Sequence, residues 1–282
     1  MSRIFLAGAF GVIGRRLIRL LLDHGHSVWG TTRSPANSEF LRKLGARPVV
    51  VDVFDVEALA TAVLDARPEI VIHQLTDLAV VHGPAKRSNA LARNARIRDE
   101  GTRNLVTAAR EAGARRLIAQ SIAWAYAPGP RPYCEDHPLD LNAEGDRLVS
   151  VRGVESLERQ VLGASPMKGL ALRYGRLYGP GSGTETPPNP LAVHVDAAAY
   201  AALLAIDRGE PGAFNIADPN DEVSTDKVTT ALGWRADFGW MQPRRRYSTE
   251  YNCRYASAAG RDLGPAVHLD FLGRRPFRPK NP

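Results

Sequence analysis

Apolar residues in this chain fall into short runs separated by stretches of helix length, and the two kinds of segment alternate from the first residues onward. RIFLAGA (3–9) reads as a buried strand, GRRLIRLLLDHG (14–25) as an amphipathic helix ended by Gly25, and HSVWGTTRS (26–34) as a second strand with a polar exit. The unit then repeats. ARPVVVDVFD (46–55) predicts a third strand, VEALATAVLDA (56–66) a helix and EIVIHQLTD (69–77) a fourth strand, followed by a long helix over ARNARIRDEGTRNLVTAAREAG (92–113) and a fifth strand over ARRLIAQSI (114–122).

Strands separated by helices of this length join through right-handed crossovers, which predicts an α/β chain with a Rossmann-like, doubly wound parallel sheet. Ligands of such a sheet sit beyond the carboxyl ends of its strands. There the segment FLAGAFGVIGRR (5–16) places Gly8, Gly11 and Gly14 between the first strand and the first helix, with Phe10, Val12 and Ile13 completing the loop. Glycines let the backbone turn tightly and approach a pyrophosphate, and the free N–H groups of the helix start donate to it. A dinucleotide is therefore the expected cofactor.

Its type is read about 20 residues further on, where a site for NAD(H) usually offers an acid to the ribose hydroxyls. Nineteen residues after Gly14 stands Arg33, flanked by Thr32 and Ser34, with no carboxylate between Gly30 and Ser38. A guanidinium suits a 2′-phosphate that an acid would repel, so NADP(H) is favoured, with NAD(H) as the alternative.

Composition narrows the field. With 282 residues and 44% hydrophobic content the chain can bury a full core. No apolar run is long enough to span a bilayer and the amino-terminal stretch does not read as a signal peptide, so a cytoplasmic location without membrane partner is expected. Cys134 and Cys253 lack metal-ligand spacing, and no metal is expected. The net charge of +7 is concentrated at the end: ten basic and four acidic residues follow from Arg235 onward. That segment lacks the aromatic-basic interleaving of an RNA-binding module, so nucleic acid is not an expected partner, and residues 239–282 read as a basic extension that packs, trails or docks a partner.

Several segments together resemble the extended short-chain dehydrogenases/reductases of the NAD-dependent epimerase/dehydratase type, over roughly residues 1–238. These are the glycine spacing, VDVFD (51–55), VIHQLTD (71–77), EGTRNLVTAAREAGARRLIAQS (100–121), LRYGRLYGPG (172–181), HVDAAAYAALLAI (194–206), FNIAD (214–218) and STDKVTTALGW (224–234). The resemblance implies a dinucleotide-binding domain over 1–170 and a small substrate lobe over 171–238 that exchanges strands and helices with it. It also implies adenine contacts from Asp52 and Val53, further cofactor contacts from Gln74, Leu75, Thr76 and Gln120, and room for a homodimer through helices near 92–112 and 151–162.

The resemblance fails at the catalytic signature. Relatives use a Tyr to pass a proton, a Lys four residues later to tune it, and a Ser or Thr to orient the substrate oxygen. With Glu158 aligned to the glutamate that follows that Lys, Ser150 stands at the Tyr position and Val154 at the Lys position; a shift of one gives Val151 and Glu155. An untuned tyrosine with a pKa near 10 is a poor acid at neutral pH. This resembles the atypical branch of the superfamily.

Replacement candidates are Tyr126 and Tyr133, which follow the fifth strand, and Ser121 within it. Candidate substrate contacts are His82, Trp124, Glu135, Tyr174 and Arg176, while His73, inside an apolar run, reads as a core histidine. The eleven-residue bridge 184–194 is too short for much of a sugar-nucleotide site, so a small substrate is expected. Three readings stay open: an NADP-dependent oxidoreductase with a nonstandard relay, a silent nucleotide-binding regulator or scaffold, and a non-redox cyclase or lyase in the same cleft.

Overall fold

A computed structural model of the chain describes residues 1–77 and 84–237, with side chains from residue 88 onward in the second stretch. His82, Cys253 and the extension over 239–282 lie outside the described residues. The elements that the hydrophobic pattern predicts are present, with α2, α6 and β6 added to them: β1 (Arg3–Ala7), α1 (Val12–Asp23), β2 (Ser27–Thr32), α2 (Ser38–Lys43), β3 (Arg47–Val50), α3 (Val56–Ala66), β4 (Ile70–His73), α4 (Pro84–Arg96), α5 (Thr102–Glu111), β5 (Arg116–Ile122), α6 (Gly145–Leu162) and β6 (Lys168–Tyr174). After these come β7 (Arg176–Tyr178), β8 (Ala192–His194), α7 (Val195–Leu204), β9 (Gly212–Ile216) and α8 (Asp226–Leu232).

Seven strands form one parallel sheet in the order β3-β2-β1-β4-β5-β6-β9, and β7 pairs with β8 in a separate two-stranded ribbon. The strand order reverses beside β1, between α1 on one side and the β4 exit on the other, which is where such sheets open a crevice. Apolar side chains cover both faces. One core joins Leu6, Ile72, Leu172 and Phe214 to Leu17 and Leu21 of α1 and to the alanine-rich α7. The other joins Phe5, Val71 and Leu117 to Leu59, Leu105 and Leu157. Strands buried on both faces read as continuous apolar runs, which is why they stand out in the sequence.

Two local departures bear on the site. The third strand stops at Val50, before the VDVF run ends, because Val51, Val53 and Phe54 turn to line the cleft at its end. The expected single helix over 92–113 begins earlier, at Pro84, and passes through a π-helical turn over Ile97–Gly101 before α5. Among the described residues no helix is long and apolar enough to cross a membrane.

Candidate functional site

A cleft of about 410 Å³ lies along the carboxyl ends of β1, β2, β3 and β4, within the size range of cofactor sites. Its walls carry Gly8, Phe10 and Gly11 from the glycine loop, Thr32, Arg33 and Ser34 after β2, Asp52 and Val53 after β3, and Gln74, Leu75 and Thr76 after β4. Of the other expected cofactor residues, Ile13 is buried in the core beneath α1 and Val12 packs partly against it, while Gly14 forms the helix start. Gln120 lies within β5 and is not among the residues lining this cleft. Ala7, Thr31, Asn37, Val51, Phe54, Leu59 and Ile97 complete the lining without having been singled out from sequence.

The three glycines do different work. Gly8 has φ +86°, and a Cβ there would stand 2.5 Å from the Gln74 carbonyl oxygen, so the turn and its approach to β4 require glycine. A Cβ at Gly14 would stand 2.3 Å from the Gly8 carbonyl oxygen, which ties helix and loop together. Gly11 is exposed and meets only that same oxygen, at 3.2 Å, so its missing side chain leaves the cleft open to a ligand. Thr31 fixes the arrangement by accepting the Gly8 N–H at 3.0 Å.

Beyond β2 the Thr32 hydroxyl organises the following turn: it accepts from the Ser34 N–H and the Asn37 amide and donates to the Ser34 carbonyl, at 3.2–3.3 Å. Arg33 is exposed at the cleft and forms no ion pair among the described residues. Gln74 is 4% exposed, and neither polar atom of its amide has a hydrogen-bond partner; the Tyr174 hydroxyl is likewise buried without one. The two side chains lie close enough for the amide to temper the upward push that burial gives the Tyr174 hydroxyl. A turn that requires glycine, an open glycine facing the cleft and an orphaned amide in its wall fit an extended dinucleotide.

The end of β5 is built differently. Glu158 and Arg173 form a buried, bidentate ion pair, with Nε to Oε1 at 2.8 Å and Nη2 to Oε2 at 2.7 Å. The Ser121 hydroxyl donates to the same carboxylate at 2.6 Å. Tyr126 accepts from Arg173 at 2.8 Å and donates to the Asn215 side-chain oxygen at 2.7 Å, and burial pushes its hydroxyl above its ordinary value. Tyr133 stacks on Tyr126 at 5.1 Å and both donates to and accepts from the backbone of Gly129. Glu135 accepts the Asn215 N–H at 2.7 Å. The Ser121 and Tyr126 hydroxyls are thus engaged by protein groups, and the Tyr133 hydroxyl, on a partly exposed ring, bonds the Gly129 backbone.

The remaining substrate candidates sit nearby. Arg176 lies over the Trp124 ring at 5.0 Å, a cation–π contact joining β7 to the loop after β5. His73 is a bonded core residue: Nε2 meets the Thr102 hydroxyl at 3.1 Å and Nδ1 accepts the Leu75 N–H, while burial, with Arg98 adding to it, lowers its pKa to about 4.

A sequence model of the NAD dependent epimerase/dehydratase family matches residues 4–211. The chain belongs to this family. A 3-diazoavenalumate denitrifying reductase from a Streptomyces species is 42% identical over 237 residues, 77% of this chain and 76% of that protein. The dTDP-4-dehydrorhamnose reductase of Streptomyces griseus is 31% identical over 180 residues, 64% of this chain and 51% of that protein. Among solved structures, the UDP-glucose 4-epimerase of Thermotoga maritima with UDP-glucose superposes with a TM-score of 0.65 at 20% identity, covering 83% of this chain and 93% of that one. Bordetella bronchiseptica WbmG in complex with NAD and UDP gives 0.63 at 20%, covering 83% and 89%. At these identities the solved structures establish the fold, and the curated relatives make this chain an NAD(P)-type oxidoreductase of the epimerase/dehydratase family.

In the register that places Glu158 after the missing Lys, the two corresponding positions on α6 are filled by packed residues. Ser150 and Val154 are both buried; Ser150 donates back to the Asp146 carbonyl, and Val154 joins Ile122, Ala125 and Val151 in an apolar cluster flanked by Trp124.

Proposed function

We propose that this chain is an NADP(H)-dependent reductase of a small substrate whose reduction needs no proton relay, and that the substrate class is an aryl diazonium compound from which nitrogen leaves as N2. The observation that carries the reading is the contrast between an open dinucleotide cradle and relay positions filled by Ser150 and Val154 in a packed, largely apolar wall. Reduction of a carbonyl leaves an oxyanion that must be protonated as it forms, which is the task of a tuned tyrosine. A reduced nicotinamide held in this cleft supplies a hydride; when the acceptor is a diazonium carbon, the C–N bonding pair departs with N2, so that R–N2⁺ and H⁻ give R–H and N2 and no proton is called for. The relative at 42% identity, named for a denitrifying reduction of a diazo compound, supports this class.

The chain's own residues have matching tasks. Gly8, Gly11 and the start of α1 hold the pyrophosphate, Asp52 and Val53 flank the adenine, and Arg33 pairs with the 2′-phosphate. Ile122, Val151 and Val154 keep water from a carbon that water would also attack. Trp124 and Arg176 position a small, flat, anionic substrate.

The test has two parts. Calorimetric titration should give tighter binding of NADPH than NADH, and Arg33→Ala should weaken NADPH by roughly tenfold or more while leaving NADH within about twofold. Anaerobic incubation of NADPH with an aryl diazonium labelled with 15N should release labelled N2 in step with cofactor oxidation. Turnover of simple ketones at comparable rates with no N2 from the diazonium compound would overturn the reading.

A further inference from the structure

The π-helical turn over Ile97–Gly101 places Arg98 in the interior with 4% of its surface exposed. Its stem runs along α6 at Gly153, where a Cβ would stand 3.4 Å from the Arg98 Cδ, and its Nη1 reaches the Ser150 carbonyl at 3.5 Å. Its guanidinium therefore lies against the turn of α6 that carries Ser150 and Val154. Ile97, the preceding residue, lines the dinucleotide cleft, as does Gln74, which follows His73. Arg98 stands behind the wall at this end of the cleft.

No carboxylate among the described residues belongs to it. Glu158 is the acid whose charge it feels, and both oxygens of that carboxylate are engaged by Arg173, with Ser121 sharing one. Arg98 makes no ion pair among the described residues. His73 adds no charge of its own, because it stays neutral above about pH 4. Two guanidinium groups and one carboxylate leave this interior with one surplus positive charge. Burial lowers the Arg98 pKa to about 10, which still leaves it charged at neutral pH. A buried cation with one long hydrogen bond among the described residues is costly, and an apolar residue of similar volume would cost less there.

We propose that Arg98 is a positioning residue that sets the cleft's preference for the reduced cofactor: its charge opposes the cationic ring of an oxidised nicotinamide and tolerates the neutral ring of a reduced one. It supplies from α4's continuation a positive charge that α6, with Val154, does not supply. The inference rests on the reading of the cleft as a nicotinamide dinucleotide site. Unit charges on the order of 10 Å apart in a protein interior change such a ratio by about tenfold.

The experiment measures dissociation constants of NADPH and NADP⁺, in the absence of substrate, for the full chain and for Arg98→Met, Arg98→Gln and Arg98→Met/Val154→Lys, with circular dichroism confirming the fold of each. The unaltered protein should favour NADPH by about tenfold or more. Both single variants should bring the ratio within about threefold of unity, and Val154→Lys in the Arg98→Met background should restore it. Arg98→Gln, which keeps a donor for the Ser150 carbonyl, reads the charge alone if Arg98→Met does not fold. Damage to packing weakens both redox forms together and leaves their ratio unmoved, so an unchanged ratio in the charge-removed variants overturns the role of Arg98 alone. Absence of binding of either form by the unaltered protein overturns this inference together with the dinucleotide reading.

Discussion

The glycine-loop cleft and the network at the end of β5 are made of the same kinds of element, yet among the described residues they differ in how far their polar groups are bonded within the protein. At the loop, Gly11 leaves an open face, and among the described residues Arg33 pairs with no acid and the buried Gln74 amide has no hydrogen-bond partner. At β5, Ser121, Tyr126, Glu158, Arg173 and Asn215 satisfy one another. Polar residues near a site are thus no measure of chemistry there; what counts is which of their donors and acceptors are already spoken for.

The sharpest way to break the contrast is at the loop itself. Gly14→Val would drive its side chain into the Gly8 and Ala9 carbonyls, where even a Cβ would stand at 2.3 and 2.7 Å, so dinucleotide binding measured by calorimetry should be lost altogether. At the other end, Glu158→Gln leaves the buried Arg173 without its counter-charge and should cost about 3–5 kcal/mol, read as a fall in Tm on the order of 10 °C. A comparable Tm for this variant would mean that the β5 network contributes no more than a surface pair.

Between the two ends stands His73, whose folded pKa of about 4 lies below the unfolded value of about 6.5. The unfolded chain therefore binds the extra proton between these values. His73 holds back no stability above about pH 6.5, and its neutral burial costs progressively more as pH falls, by about 3 kcal/mol at pH 4. Chemical denaturation from pH 7 to pH 4 should show this slope, and His73→Gln should flatten it. The smallest effect is expected from Tyr126→Phe, which deletes two hydrogen bonds of the network at about 1–3 kcal/mol. Its pH–rate profile should keep the unaltered shape; a lost limb in that profile would restore Tyr126 as an acid.

Much of the loop end is legible in the sequence because its requirements are steric and local. Three glycines between a strand and a helix, and a missing acid after β2, need no knowledge of distant residues. Asn37, Phe54 and Ile97 escaped because each reaches the cleft through a turn whose shape the pattern does not disclose. The run VVVDVF reads as strand throughout, although after Val50 its apolar side chains line a ligand cleft instead of a core. The β5 end is legible only as a loss. Sequence identifies the absent Tyr and Lys, but the commitment of Tyr126 and Tyr133 depends on Arg173, Asn215 and Gly129, and Arg98 faces inward only because a π-turn shifts the helical phase.

Asn215 gives the chain a timetable. It joins the Tyr126 hydroxyl, the Tyr133 carbonyl and the Glu135 carboxylate across 89, 82 and 80 residues of sequence, from a strand that is also the last to enter the sheet. A chain growing from its amino end can assemble the glycine loop, α1 and β4 long before residue 215 is made, whereas the loop after β5 stays without its clasp until then. Contacts of such long separation carry a large loop-closure cost and form slowly. The glycine-loop cleft is thus complete early in synthesis, and the network at the end of β5 is finished last.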